Sequence, residues 1–325
     1  MKERDKTAMA PTPPKELWLS GRFIPWEQAT VHISQIAWSA ISAVFEGIRC
    51  YWSSGTEELF IFMLDAHLRR FETSMKLMRM SPSFTREQLA EAIRELVQRN
   101  ELREDAYVQP LAYFGGNVPG YLSARDLPPE ILLLSRPVPS FLGTGRTFRC
   151  GVSSWGRISD NVMPPRAKAI ANYQNSRTVS TEATLHGYDA GIILNQNGKV
   201  AEGAYACLFL IRDGVAITPS LTSGILESIT RRVLLDLLSR ELGLPVEERE
   251  VDRTELYVAD ELFLCGTFAE ITPVVSVDHY TVGDGTAGPF TRRLEALFHD
   301  LVRGVDARYP DWRTPIWAPA SALRR

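Results

Sequence analysis

The stretch GIILNQNGKVAEGAYACLFLIRDGVAITP, Gly191 to Pro219, decides how this chain folds. Apolar runs of strand length flank an Asn-Gly step at Asn197-Gly198 and again an Asp-Gly step at Asp213-Gly214. Such steps take the positive φ angles of the tight turns that match strand twist, so each reads as a β-hairpin. Downstream, SLTSGILESITRRVLLDLLSRELG (Ser220–Gly243) places Ile229, Val233, Leu234, Leu237 and Leu238 on one helical stripe, with Gly243 at its end. The short strands PVEEREV, ELFLCG and ITPVVSV follow, then a helix through Arg293, Leu294, Leu297, Phe298 and Leu301. Upstream, FRCGVSSWGRI (Phe148–Ile158) reads as a strand. PPRAKAIANYQNSRTVSTEATLHG (Pro164–Gly187) turns helical from about Gln174, with Val179, Ala183 and Leu185 apolar and His186-Gly187 as its end.

The first half repeats the mixture. Leu17 to Ile36 alternates as short antiparallel strands do, AVFEGIRCYWSSG (Ala43–Gly55) reads as one strand, and LFIFM as another. Asp65 is expected to cap a helix from Ala66 to Met80, with Leu68, Phe71, Met75 and Met78 on its apolar face. Thr85 caps a second helix carrying Leu89, Ile93, Leu96 and Val97; AYVQPLAYFGG and EILLLSRPV are strands. Hairpin-linked strands with helices inserted indicate an α+β architecture rather than a doubly wound sheet. The expected organisation is a disordered tail over 1–14, a small α+β domain over 15–137 and a Pro- and Gly-rich interdomain loop over 138–147. A large α+β domain over 148–304 and a C-terminal tail over 305–325 complete it.

Composition removes several classes of function. With 36 basic and 39 acidic side chains the net charge is −3, so no basic field awaits nucleic acid. The opening MKERDKTAMAPTPPK has no apolar core of a secretory signal, and no run approaches the ~20 apolar residues of a membrane span. Cys50, Cys150, Cys207 and Cys265 stand far apart with no zinc spacing, and read as buried thiols of a cytoplasmic protein.

Lys168 sits among small apolar residues, where an ammonium is costly unless it is paired, neutralised or consumed by an aldehyde. A lysine snorkelling from a loop is the plainer alternative. SGILESIT opens a helix near Glu227 to Thr230, and such a start presents free N–H groups and a positive dipole end to an anion. Cys265-Gly266-Thr267 offers a second donor turn before Phe268. Glu202 is either a solvated turn residue or the partner of a buried cation. His67 and Arg70 stand one turn apart, a pair that suits phosphate or simply the surface. A lysine, an anion cradle and a carboxylate together fit pyridoxal 5'-phosphate, whose protonated ring is an electron sink for Cα–H chemistry.

Several motifs now carry a resemblance: FEGIRCY (Phe45–Tyr51), HLRRF (His67–Phe71), SSWGR (Ser153–Arg157) and KAIANY (Lys168–Tyr173). With HGYDAGIILNQNGKVAEG (His186–Gly203), ILESITR (Ile225–Arg231) and CGTFAEITPV (Cys265–Val274), the chain resembles the branched-chain aminotransferases, class IV pyridoxal-phosphate enzymes of fold type IV. The resemblance implies that Lys168 is catalytic and carries the cofactor. It implies that Glu202 pairs with the pyridine nitrogen and Tyr173 with the ring hydroxyl, while Arg70, Leu226, Ile229, Thr230 and Thr267 complete the cofactor seat. Phe45, Gly47, Arg49, Tyr107, Gln109, Ala40, Phe141 and Phe268 would then face the substrate. It implies a homodimer acting on an amino acid and a 2-oxo acid.

The chain also departs from that pattern. Gln109 stands where the family has an arginine; Ala40 and Phe141 stand where tyrosines are expected, and Val138 where a tryptophan is. Those three family side chains, the arginine and the two tyrosines, receive a substrate's second carboxylate. The expectation is therefore poor handling of glutamate and 2-oxoglutarate and a specialised biosynthetic role. The competing expectation is that Arg49 or another basic residue re-enters the pocket. The rival functions are a class IV lyase or a D-amino acid or amine transaminase of the same fold, and a non-catalytic binding protein.

Overall fold

The computed structural model describes residues 13–33, 40–115 and 128–317; residues 1–12, most of the segment expected as an N-terminal tail, lie outside it. The chain opens with β1 (Glu16–Leu19) and β2 (Arg22–Pro25), then β3 (Val44–Phe45), β4 (Ile48–Ser53) and β5 (Glu58–Phe62). Helices α1 (Leu64–Leu77) and α2 (Arg86–Arg99) precede β6 (Ala106–Tyr113) and β7 (Glu130–Pro137). In order along the sheet, a strand from the chain's end is followed by β5, β4, β6, β7, β1 and β2, and β3 pairs with β6.

Strand β6 shows how this layer forms. Ala106, Val108, Pro110 and Ala112 are buried, and their alternates are half-buried, the period of two that a pleated strand imposes. The layer's buried set, Val108 and Ala112 among it, packs with Phe71, Met75, Ile93, Leu96 and Val97 of the two helices. Tyr107 and Gln109 therefore face the other way. The capping box at Thr85 and Gln88 that starts α2 is formed as expected.

The second layer contains β8 (Phe148–Val152), α3 (Tyr173–Leu185), β9 (Ala190–Leu194), β10 (Val200–Gly203), β11 (Cys207–Arg212) and β12 (Val215–Pro219). It continues through α4 (Ile229–Arg240), β13 (Val246–Arg249), β14 (Glu261–Gly266), β15 (Glu270–Val277), β16 (Tyr280–Thr281) and α5 (Pro289–Val302). The sheet order is β10-β9-β8-β15-β14-β11-β12-β13, mostly antiparallel, with parallel pairs at β8–β9, β8–β15 and β12–β13. The run CLFLI of β11 is apolar without interruption because both faces of the strand are covered. Cys207, Phe209 and Ile211 pack with Val233, Leu237 and Phe298 of the helices, whereas Leu208 and Leu210 pack with Val251, Leu256 and Val277.

Five expectations change. The run Ala43–Gly55 is two strands, broken at Glu46-Gly47 because the Glu46 side chain turns to a buried ion pair. Helix α1 starts at Leu64, so Asp65 lies inside its first turn and pairs with Arg69 and Arg86 instead of capping. Strand β8 stops at Val152, and Leu185 is 78% exposed. The segment read as a C-terminal tail contains β17 (Arg313–Pro315), which pairs with β5 and closes that edge of the first sheet.

Candidate active site

The lysine is held from two sides. Phe45 N–H donates to the Lys168 carbonyl at 3.0 Å, Ile170 N–H donates to the Ala43 carbonyl at 2.8 Å, and Val44 bridges Ala169. Lys168 N–H donates to Ser74 Oγ of α1 at 3.0 Å. Asn172 closes the loop by donating to the carbonyls of Pro164 and Ala167, both at 3.0 Å. The backbone beneath the amine is thus tied to the first layer and to its own loop. Lys168 Nζ donates to Tyr173 Oη at 2.5 Å and lies 4.5 Å from the centre of the Phe45 ring. Burial, aided by the charge on Arg70, pushes the amine below the usual lysine range. Burial pushes the Tyr107 and Tyr173 phenols up, so both remain neutral.

Glu202 lies on β10 beside a register shift and is 5% exposed. One carboxylate oxygen accepts from Arg157 Nη2 at 2.6 Å, the other from Leu226 N–H at 3.1 Å and the Cys207 thiol at 3.8 Å. Burial raises its pKa by more than Arg157 and the Leu226 N–H lower it. Arg157 also donates to the Gly224 carbonyl at 3.0 Å.

Arg70 donates Nε and Nη2 to Glu46 at 2.7 and 2.9 Å, and Nη1 to the Glu227 carbonyl at 3.0 Å. A guanidinium carries about five N–H donors, which leaves part of its fork for a ligand. Ser228 caps α4 by accepting from Arg231 N–H, and the first N–H groups of that helix have no carbonyl within it. His67 offers no second cation to a phosphate beside Arg70, because both side chains hold the Glu46 carboxylate. Its Nδ1 meets Glu46 at 2.7 Å in a fully buried contact.

One cavity of about 360 Å³ joins these groups, within the usual size of a small-molecule site. Its wall includes Lys168, Tyr173, Glu202, Arg70, Leu226 and Thr267 on the side expected for the cofactor. Phe45, Gly47, Tyr107, Gln109 and Phe268 line it as well. Gly47 has a steric reason to be glycine: a Cβ there would overlap Tyr107 Oη. Ile229 and Thr230 are buried at the start of α4, next to Ser228 of the wall, and are not themselves on it.

Three residues expected at the substrate lie elsewhere. Arg49 is 1% exposed and donates Nη1 to the carbonyls of Val138 and Pro139 at 2.6 and 3.1 Å, so it braces the loop after β7. Phe141 packs edge-on against Phe268 at 6.0 Å and under the Arg146 guanidinium, outside the cavity wall. Ala40 is exposed and also off that wall. Glu46, Arg157, Ser74 and Arg136 carry contacts or positions at the site that sequence reasoning left without a role. For Glu46 and Arg136 the local signal is a charge inside an otherwise apolar run, AVFEGI and EILLLSRPV; Ser74 and Arg157 have no such signal.

The residues present fit pyridoxal phosphate on the structure's own terms. The lysine is half-buried on the cavity wall, its pKa is lowered and a phenol accepts from it; the facing carboxylate is under-compensated; and a helix start with a partly uncommitted arginine offers an anion seat. That combination defines a lysine-centred pyridoxal-phosphate enzyme. Residues 43–277 match the model of the amino-transferase class IV family. The branched-chain-amino-acid aminotransferase of Escherichia coli K12 is 39% identical over 291 residues, which cover 89% of this chain and 93% of that protein. The crystal structure of the Thermobaculum terrenum branched-chain amino acid aminotransferase in its pyridoxal-phosphate form is 48% identical. It superposes with a TM-score of 0.91 over 94% of this chain and 99% of that one. The branched-chain aminotransferase of the archaeon Thermoproteus uzoniensis, crystallised with norvaline, is 36% identical, with a TM-score of 0.88 over 94% and 100% of the two chains. This chain belongs to the class IV aminotransferases, and it is a pyridoxal-phosphate-dependent enzyme of the branched-chain type.

Proposed function

We propose that Lys168 carries the cofactor and moves the substrate's Cα proton, while Glu202 faces the ring nitrogen and Tyr173 the ring hydroxyl. Arg70, Ser228 and the first N–H groups of α4, with the Thr267 turn, hold the phosphate. The observation that carries this reading is the joining of Lys168, Glu202 and Ser228 at the α4 start on one cavity wall. When bound, pyridoxal phosphate supplies the electron sink that acidifies Cα–H. Lys168 suits proton transfer because burial favours its neutral amine, the form that accepts a proton. Tyr173 Oη, which accepts from Nζ, keeps the amine on this wall between proton transfers. Tyr107 and the Thr267–Phe268 turn offer hydroxyl and N–H donors to the substrate's α-carboxylate. The rings of Phe45, Tyr107 and Phe268 give an apolar side chain its surface, and Gly47 leaves room beneath Tyr107.

The same reading places the enzyme in the cytoplasm as a homodimer. No helix among the described residues is long and apolar enough to cross a membrane. Val31, Ile33 and Ile41, flanking the entry to β3, are 52%, 80% and 54% exposed, apolar surface that a second chain would cover. Light scattering on the purified protein tests the pairing.

A donor panel tests the function. Cofactor-loaded enzyme given L-leucine and a 2-oxo acid should form 4-methyl-2-oxopentanoate in step with the new amino acid. Ammonia release without an amino product, or a preference for D-donors, would favour the lyase or D-amino acid reading instead.

A further inference from the structure

Four cationic side chains line the cavity: Arg70, Arg157, Lys168 and Arg136. Three have acceptors. Arg70 is tied to Glu46 and the Glu227 carbonyl, Arg157 to Glu202 and the Gly224 carbonyl, and Lys168 to Tyr173. Arg136 makes no side-chain hydrogen bond or ion pair with any of the described residues and is half-buried. A guanidinium at a cavity wall with its whole fork uncommitted among the described residues is a ready receptor for a planar anion.

The strand register says which part of the cavity it serves. Tyr107 of β6 is paired directly with Arg136 of β7, and Gln109 with Leu134. Directly paired residues share a face, so Arg136, Tyr107 and Gln109 lie together on the face opposite the α1–α2 core, with Arg136 diagonal to Gln109. On the other side Tyr107 pairs with Arg49, whose Nη1 is held by the loop carbonyls and which does not reach the cavity wall. Gln109 brings an amide donor but no charge.

We propose that in this chain Arg136, assisted by Gln109, receives the second carboxylate of a dicarboxylic substrate. This rests on the reading of the cavity as the aminotransferase site. The arginine's aliphatic stem can lie along the rings of an occupied apolar pocket while its head stays at the rim. With a diacid bound, the head supplies a bidentate pair of charge-assisted hydrogen bonds. This assignment makes 2-oxoglutarate a competent acceptor, the opposite of the expectation drawn from Gln109, Ala40 and Phe141.

The test compares 2-oxoglutarate with 4-methyl-2-oxopentanoate as acceptors for wild type, R136A, R136K and Q109A, and measures glutarate binding by calorimetry. R136A should lower kcat/KM for the diacid roughly 100-fold more than for the monoacid and weaken glutarate by a similar factor. R136K should recover part of that ratio and Q109A should lose less than R136A. An unchanged ratio in R136A, an equal loss for both acceptors, or a wild type that does not use the diacid would each overturn the proposal. Those results differ from failure of the site reading itself, in which wild type binds no pyridoxal phosphate and transfers no amino group from leucine.

Discussion

Two buried carboxylates each meet an arginine at this site, yet their environments pull in opposite directions. Glu46 accepts from Arg70 through two nitrogens, from His67 Nδ1 at 2.7 Å and from Gly47 N–H at 3.3 Å. Burial pushes its pKa up, but Arg70 and His67 more than reverse this and hold it far below the usual carboxylate range. Burial pushes His67 down, which leaves the imidazole neutral and donating its Nδ1–H to Glu46. Glu202 has one arginine contact, one N–H and a weak thiol donor, and burial wins. The first carboxylate is saturated by the protein and serves as a brace for α1 and Arg70. The second is left short of positive charge on a cavity wall, which is the condition for pairing with a cationic ligand atom. Two similar residue pairs thus divide into scaffold and site by counting donors.

The largest effect expected is on stability. Glu46→Gln turns an acceptor into a donor against Arg70 or His67, and breaking a buried pair in this way costs about 3–5 kcal/mol. Chemical denaturation should show that loss for E46Q and a smaller one for E202Q. Next in size is catalysis. E202Q should slow Cα deprotonation roughly 10²- to 10³-fold in single-turnover measurements with leucine, as expected for removal of a preorganised charge. Equal effects of the two substitutions on stability, or no effect of E202Q on the proton step, would erase the distinction between the pairs. Arg70→Ala should weaken pyridoxal phosphate about ten- to a hundredfold by losing charge-assisted hydrogen bonds, read by equilibrium titration of the apoenzyme.

The smallest effect is a pH dependence with opposite signs. Glu46 has a depressed folded pKa, so its stabilisation is present above the unfolded value near ~4.3 and is lost as pH falls toward the folded one. Glu202 has a raised folded pKa, so its contribution is fully present below the unfolded value and lost as pH rises through the folded one. Between about pH 6 and about pH 3, E46Q should therefore lose less stability than wild type and E202Q more.

What could be read from the chain follows the range of each interaction. The Asn-Gly and Asp-Gly hairpins, the Thr85 cap and the apolar stripe of α4 depend on neighbours close in sequence, and all were legible. Lys168 stood out because a charge among small apolar residues demands an explanation. Glu46 did not, since its partners lie 21 and 24 residues away and its flanks look like an unbroken strand. Placing Phe141 by resemblance carried over a pattern but not the path of the loop, which here is held by Arg49 and by Glu270 accepting from Ser140 and Phe141. Arg136 was hidden for the opposite reason: its significance is the lack of a partner among the described residues, which only the packed structure reveals.

The central claim is that Lys168 bears the cofactor. Of the six lysines in the chain, Lys15, Lys76, Lys168 and Lys199 lie among the described residues, and of these four Lys168 faces the cavity. Reducing the pyridoxal-phosphate-loaded protein with borohydride and mapping the modified peptide tests it directly. The label should fall on the peptide containing Lys168, and K168A should take up none. Stable label on another lysine in wild type, or undiminished labelling of K168A, would contradict the account.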